Sequence, residues 1–156
     1  MKLIEASKDR LVFRFGHAER RLFSRVLGHY PCLPPAHHKP GKSGPIPTAS
    51  ASQRLLEDAL AESRNENRKK LQSLLKDEGH FKREPAGWRV SLAPGEFEWL
   101  LQILNDIRVG SWVLLGSPEE LAGPLEETDV PHFWTMEMAG AFQMQFLALM
   151  ETGAAP

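Results

Sequence analysis

Apolar residues recur with helical spacing over 94–116, PGEFEWLLQILNDIRVGSWVLLG, for longer than anywhere else in the chain. At about 100° per residue, Phe97, Leu100, Leu101, Ile103, Leu104, Ile107, Leu114 and Leu115 cover a wide arc, and Glu98, Gln102, Asn105 and Asp106 fill the rest. So broad an arc needs neighbours on more than one side, and the pattern predicts a central helix within the core. Pro94 suits the first turn, where a missing N–H costs nothing, and Glu96 and Glu98 lie near the positive end of the helix dipole. Gly110 weakens the reading of the last third. Arg108 falls on the apolar side between Leu101, Leu104 and Leu115, where its guanidinium must reach water or a carboxylate.

The remaining elements follow from shorter patterns. KLIEA (2–6) and LVFRF (11–15) alternate as two strands of a hairpin, which needs a helix over Leu3, Leu11, Phe13 and Phe15 because an isolated hairpin is marginal in water. Leu22, Phe23, Val26 and Leu27 then predict a helix ending near Gly28. Six prolines make 31–49 a linker. Ser50 and Gln53 read as a capping box opening a long helix to about residue 78, with a seam of Leu56, Leu60, Leu71 and Leu74. The charged RNENRKK run at 64–70 lets that helix cross the core with a solvated middle, kink there, or pack on another subunit. Residues 80–92 read as a second short β element, with a turn over 85–87 and Trp88, Val90 and Leu92 on one side. After Gly116 comes the acidic loop 117–130, and Pro131 starts a last helix that is apolar almost all round.

The fold class is therefore mainly α, with a small N-terminal β-hairpin and a short second β element, α+β by strict count, in one domain over 1–156. A chain of 156 residues, 42% hydrophobic and 25% charged, has the makings of one ordinary globular core. Its net charge of −1 points to neither a nucleic-acid nor a membrane binder. The distribution says more: residues 1–42 carry nine Lys/Arg against three Asp/Glu, whereas 95–156 carry one against ten. Charge so separated attracts its own other half or steers partners to opposite ends. A lone cysteine, Cys32, fits a reducing compartment, no signal-peptide run is present, and the expected location is cytoplasmic. The last helix contains Glu137, Gln143 and Gln145 and reads as buried, not membrane-spanning.

No motif identifies a reaction. Gly41, Lys42 and Ser43 mimic the end of a phosphate-binding loop, but Ala36 replaces its first glycine and Pro40 removes an amide donor. Cys32, His37 and His38, with His29 upstream, lack the spacing of a structural zinc site. Catalytic residues, metal and cofactor are all expected to be none. Glu137, the single acid in the apolar stretch 131–150, is expected to neutralise Arg108 in a buried, fold-specifying ion pair worth about 3–5 kcal/mol when one partner is removed. A spatially assembled active site would require a pocket joining Arg108 or Asp106 to a histidine.

The order of hairpin, helix, linker and long charged helix, followed by WLLQILNDIR at 99–108 and an aromatic closing helix, resembles a bacterial helical family of unknown function. Trp99, Leu100, Leu104, Asn105, Asp106 and Arg108 carry the likeness. Members are often encoded beside the ClpS protease adaptor, so the resemblance implies a helical fold and proteolysis-linked regulation, with no catalytic residues. The expected function is a non-enzymatic adaptor or regulatory module that binds a protein partner. Its surfaces would be the acidic loop, with Glu119, Glu120, Glu126, Glu127 and Asp129, and the Met-rich last helix. The alternative is a nucleic-acid-binding regulator using the basic N-terminal segment, with Arg14, Arg20, Arg21 and Arg25 as contacts. The apolar surplus of the last helix also leaves a homodimer open.

Overall fold

The computed structural model describes residues 1–33, 47–119 and 123–153. Among them are four helices and one four-stranded antiparallel sheet: β1 (Lys2–Ala6), β2 (Leu11–Phe15), α1 (His17–Leu27), α2 (Pro47–Lys76), β3 (Phe81–Glu84), β4 (Gly87–Leu92), α3 (Pro94–Leu114) and α4 (Val130–Gly153). The mainly α or α+β class is thus what the chain adopts.

The two β elements read separately from the sequence are one sheet, in the order β1-β2-β4-β3. β2 pairs with β4 from Leu11 opposite Leu92 to Phe15 opposite Trp88, and this seam joins the two hairpins. Directly paired residues share a face, so Leu11, Phe13, Phe15, Trp88, Val90, Leu92 and Phe81 all point one way, toward α1, α3 and α4. Phe146 of α4 lies at the centre of that layer, with ring centroids 5.1 Å from Phe13, 5.4 Å from Phe97 and 5.8 Å from Phe23. Edge-to-face rings at these separations add roughly 0.5–1.5 kcal/mol per pair beyond area burial. At the β3–β4 turn Gly87 has a φ of +148°, and a Cβ there would collide with the carbonyl oxygen of Phe15, so only glycine serves.

Both α1 and α3 begin the same way. The cap residues, Gly16 and Ala93, have no side-chain acceptor, and the third helical residue supplies one: Gly16 N–H donates to Glu19 at 2.7 Å and Ala93 N–H to Glu96 at 2.9 Å. Glu96 also meets His80 Nε2 at 3.1 Å, while His80 Nδ1 meets Asp77 at 2.8 Å, fastening the end of α2 to the start of α3. α3 stops in a Schellman motif, with Ser117 N–H on the Trp112 carbonyl (3.1 Å), Gly116 N–H on the Val113 carbonyl (3.0 Å), and Gly116 at φ +87°.

Two expectations change. The long helix starts at Pro47, ahead of Ser50, and buries its seam only at the C-terminal end: Leu71 and Leu74 are in the core, Leu60 is half-buried, and Leu56 is exposed. In α3 the buried stripe runs through Phe97, Leu100, Ile103, Leu104 and Ile107 to Gly110 and Ser111, not to Leu114 and Leu115. That course leaves Arg108 on the exposed side. The 31–49 segment lies mostly outside the described residues, as do Gly41, Lys42, Ser43, His37 and His38. Residues 115–119 and 123–129 form neither helix nor strand.

Candidate functional site

The second half of α3 is flanked by two cavities. α3 and α4 make the most extensive helix–helix contact in the molecule, and along one side they leave a groove of about 600 Å³. Its walls are Arg108, Val109 and Trp112 from α3 and Met136, Glu137, Gly140, Ala141 and Met144 from α4. The lining is mostly apolar yet open to water: Met144 is 74% exposed, and Val109 and Trp112 are exposed too. The stem of Arg108 lies across Gly140, where a Cβ would sit an ordinary 3.5 Å from Arg108 Cδ. Trp112 also donates its indole N–H to the Pro118 carbonyl at 3.2 Å, tying the start of the acidic loop to the groove. Beyond that tether Glu119, Glu126 and Glu127 are exposed and Asp129 is half-buried; Glu120 lies outside the described residues.

The other cavity, about 290 Å³, mixes polar walls, including Tyr30, Arg64, Asn67, Asn105 and Asp106, with apolar ones from Leu33, Leu60 and Val109. Asn67 is its organiser, accepting from Trp99 Nε1 at 3.0 Å and donating to the Tyr30 hydroxyl at 3.2 Å. Arg64 donates to the Leu33 carbonyl at 2.7 Å. Burial raises the Asp106 carboxyl above its ordinary range although the side chain still touches solvent, and Arg64 pulls the other way. Burial likewise pushes the Cys32 thiol up, opposed by a hydrogen bond to Ser111 and reinforced by Asp106; a thiol so placed stays protonated near neutrality and is a poor nucleophile. No histidine lines either cavity among the described residues, and no group of three metal-ligating side chains occurs among them. The histidine that a spatially assembled site would join to Arg108 or Asp106 is thus in neither cavity.

Arg108 and Glu137 meet the same groove but form no ion pair, and both side chains are exposed. The expectation of a buried pair is therefore corrected: the apolar stripe of α3 turns away after Ile107, so neither charge leaves water. The four arginines proposed for nucleic-acid contact do not share a surface either. Arg20 is half-buried on the core side, its guanidinium 4.3 Å from the Phe81 ring and 5.3 Å from the Trp88 ring, donating to the Leu75 carbonyl at 3.0 Å. Arg25 lies 4.8 Å over Trp134, and Arg21 is exposed on α1. Arg14 sits on the sheet face opposite the described core.

Sequence reasoning missed the groove because its walls combine residues about 30 positions apart; the one local signal was that α4 has no polar face. No helix among the described residues is long and apolar enough to cross a membrane. No family model, curated protein or solved structure matches the chain.

Proposed function

We propose that this protein is a non-enzymatic adaptor or regulatory module, and that the α3–α4 groove receives an amphipathic helix of a protein partner. The observation that carries the reading is the open apolar groove of Val109, Trp112, Met136, Ala141 and Met144. A cleft between two packed helices accepts the ridge of a third, recognised through apolar anchors at i, i+3/i+4 and i+7. Methionine supports such a surface because its unbranched thioether adapts to different anchors. The neighbouring Glu119, Glu126, Glu127 and Asp129 favour a partner helix with basic residues beside its apolar stripe. The resemblance to a family encoded beside a protease adaptor supports a regulatory setting.

The test is recovery of partners from nuclease-treated lysate of the source cells, followed by titration of the recovered partner's helical segment against wild type and Met144→Glu. The expected result is a nuclease-resistant partner that binds wild type and loses at least tenfold in affinity to Met144→Glu, because a charge is placed in the groove. Neutralising the acids of 117–130 should weaken binding less and flatten its salt dependence. Equal binding by wild type and Met144→Glu would sink the reading. So would a wild-type dimer that Met144→Glu converts to monomer, which would assign the groove to self-association.

A further inference from the structure

The sheet face opposite the described core carries a row of like charges that the register alone reveals, beside a Val12 that is itself fully buried. Lys2 lies opposite Arg14, Arg14 opposite Arg89, and Arg89 opposite Lys82, so one basic residue from each strand stands in line across β1, β2, β4 and β3. With strands about 4.8 Å apart the row is roughly 14 Å long. Lys2, Arg14 and Lys82 are exposed, and the Arg89 side chain is 37% exposed. Glu5 offers the nearest compensation, but it is committed to Arg10 at 3.0 Å and stands 3.9 Å from Arg89. Glu84, at the far edge beside Gly87, is outside the row.

Like charges directly opposite one another destabilise a sheet. Four in succession are a cost to the fold that the long ion pair of Glu5 with Arg89 offsets at one position. The acidic loop cannot relieve them within one molecule: α4, whose Gly153 abuts Leu3 of β1, carries the loop to its other end, about 36 Å away at 1.5 Å per residue.

From this register, we infer that the basic row on this sheet face binds the phosphate backbone of a nucleic acid, with Lys2, Arg14, Arg89 and Lys82 as the contacting cations. The row presents evenly spaced positive charge to an evenly charged polyanion. Among the described residues no aromatic side chain shares the face: its other paired positions are Val12, Ser91, Glu5, Glu84 and Gly87. Base stacking is therefore absent, and recognition is of phosphate and independent of sequence. The surface is separate from the α3–α4 groove and does not rest on the adaptor reading.

The test is fluorescence anisotropy with labelled oligothymidylate and a mixed-sequence duplex, each of about 20 units, titrated from about 50 to 200 mM salt. Binding of either by wild type should fall with salt with a log–log slope near −3, since about 0.7–0.9 counterions leave per phosphate neutralised. Arg14→Gln/Lys82→Gln should lose at least tenfold in affinity and roughly half the slope, whereas Arg21→Gln should change affinity less than twofold. The double variant should melt at or above the wild-type temperature, because it relieves repulsion, so its lost binding would not reflect unfolding. The inference is overturned if wild type binds neither oligonucleotide at low salt, or if the double variant binds like wild type. It is equally overturned if row-dependent binding goes to polyglutamate or phosphatidylserine vesicles in place of the oligonucleotides, which would give the face to an acidic protein or a membrane.

Discussion

The two flanks of α3 are built on the same helix and differ by what approaches it. On one side the stretch after α1 packs so closely that a Cβ on Gly110 would lie 2.7 Å from Cys32 Cβ, and Trp99, Asn67 and Tyr30 are joined in a chain of hydrogen bonds. On the other side α4 leaves Met144, Trp112 and Val109 in water, and a Cβ on Gly140 would meet only Arg108 at 3.5 Å. On the first flank hydrogen bonds tie Tyr30, Asn67 and Trp99 together beside a smaller cavity whose Asn105 and Asp106 still reach water. The open flank has apolar area that the described residues leave uncovered, which is where a partner gains most from burial.

The sharpest way to break this comparison is one substitution made on each side. Gly110→Ala should lower the melting temperature, because overpacking of roughly 1–3 kcal/mol exceeds the up to about 1 kcal/mol that alanine returns in helix propensity. Gly140→Ala should raise it, by about 0.5–1 kcal/mol of propensity, while its methyl group fills the groove floor. Thermal melts of the two variants check both signs; two destabilised proteins would mean that the flanks are packed alike.

Asp106→Asn sharpens the comparison through pH. The folded carboxyl has its pKa raised, so the native state holds the proton more tightly than the unfolded chain, and stability falls as pH rises from the ordinary value of 3.8 through the raised one. The variant should therefore melt higher than wild type near neutrality and equal to it at pH below that ordinary value. A variant that melts lower near neutrality would show that attraction to Arg64 outweighs burial. The smallest effect belongs to the open flank: Glu137→Ala should change stability by less than about 0.5 kcal/mol, as for an unpaired surface side chain. A loss of about 3–5 kcal/mol, read from denaturant melts, would restore the buried pair with Arg108.

Arg108 also shows where sequence pattern stops being informative. Periodicity located α3 to within two residues, and alternation placed Phe13, Phe15, Trp88, Val90 and Leu92 on inward faces as observed. A wheel, however, reports angular position and not which arc the neighbours occupy. With Leu101, Leu104 and Leu115 weighted alike, Arg108 looked internal, whereas the actual neighbours select Gly110 and Ser111, which carry almost no hydrophobic signal. Gly110, read as a weakness in the helix, is the residue that admits Cys32. Pairing between β2 and β4 joins residues more than 70 positions apart, and alternation names faces without naming partners. The basic row was invisible for that reason: Lys2, Arg14, Lys82 and Arg89 are each unremarkable beside an inward apolar residue. Arg20 escaped through its length, since a long stem on a helix flank reaches aromatic rings on another element.

The long, nearly uncharged α4, bearing only Glu137 and Glu151, acts as a spacer between a cationic pole at the sheet and an anionic pole at the 117–130 loop. A molecule with a net charge of −1 and poles so far apart carries a large electric dipole, and its orientation in a field matters more than its total charge. Within a Debye length of about 8 Å at physiological ionic strength, an approaching surface senses one pole and not the sum. On the phosphate-binding proposal, the chain would turn its sheet toward the polyanion and hold the acidic loop, with the groove beside it, toward solvent.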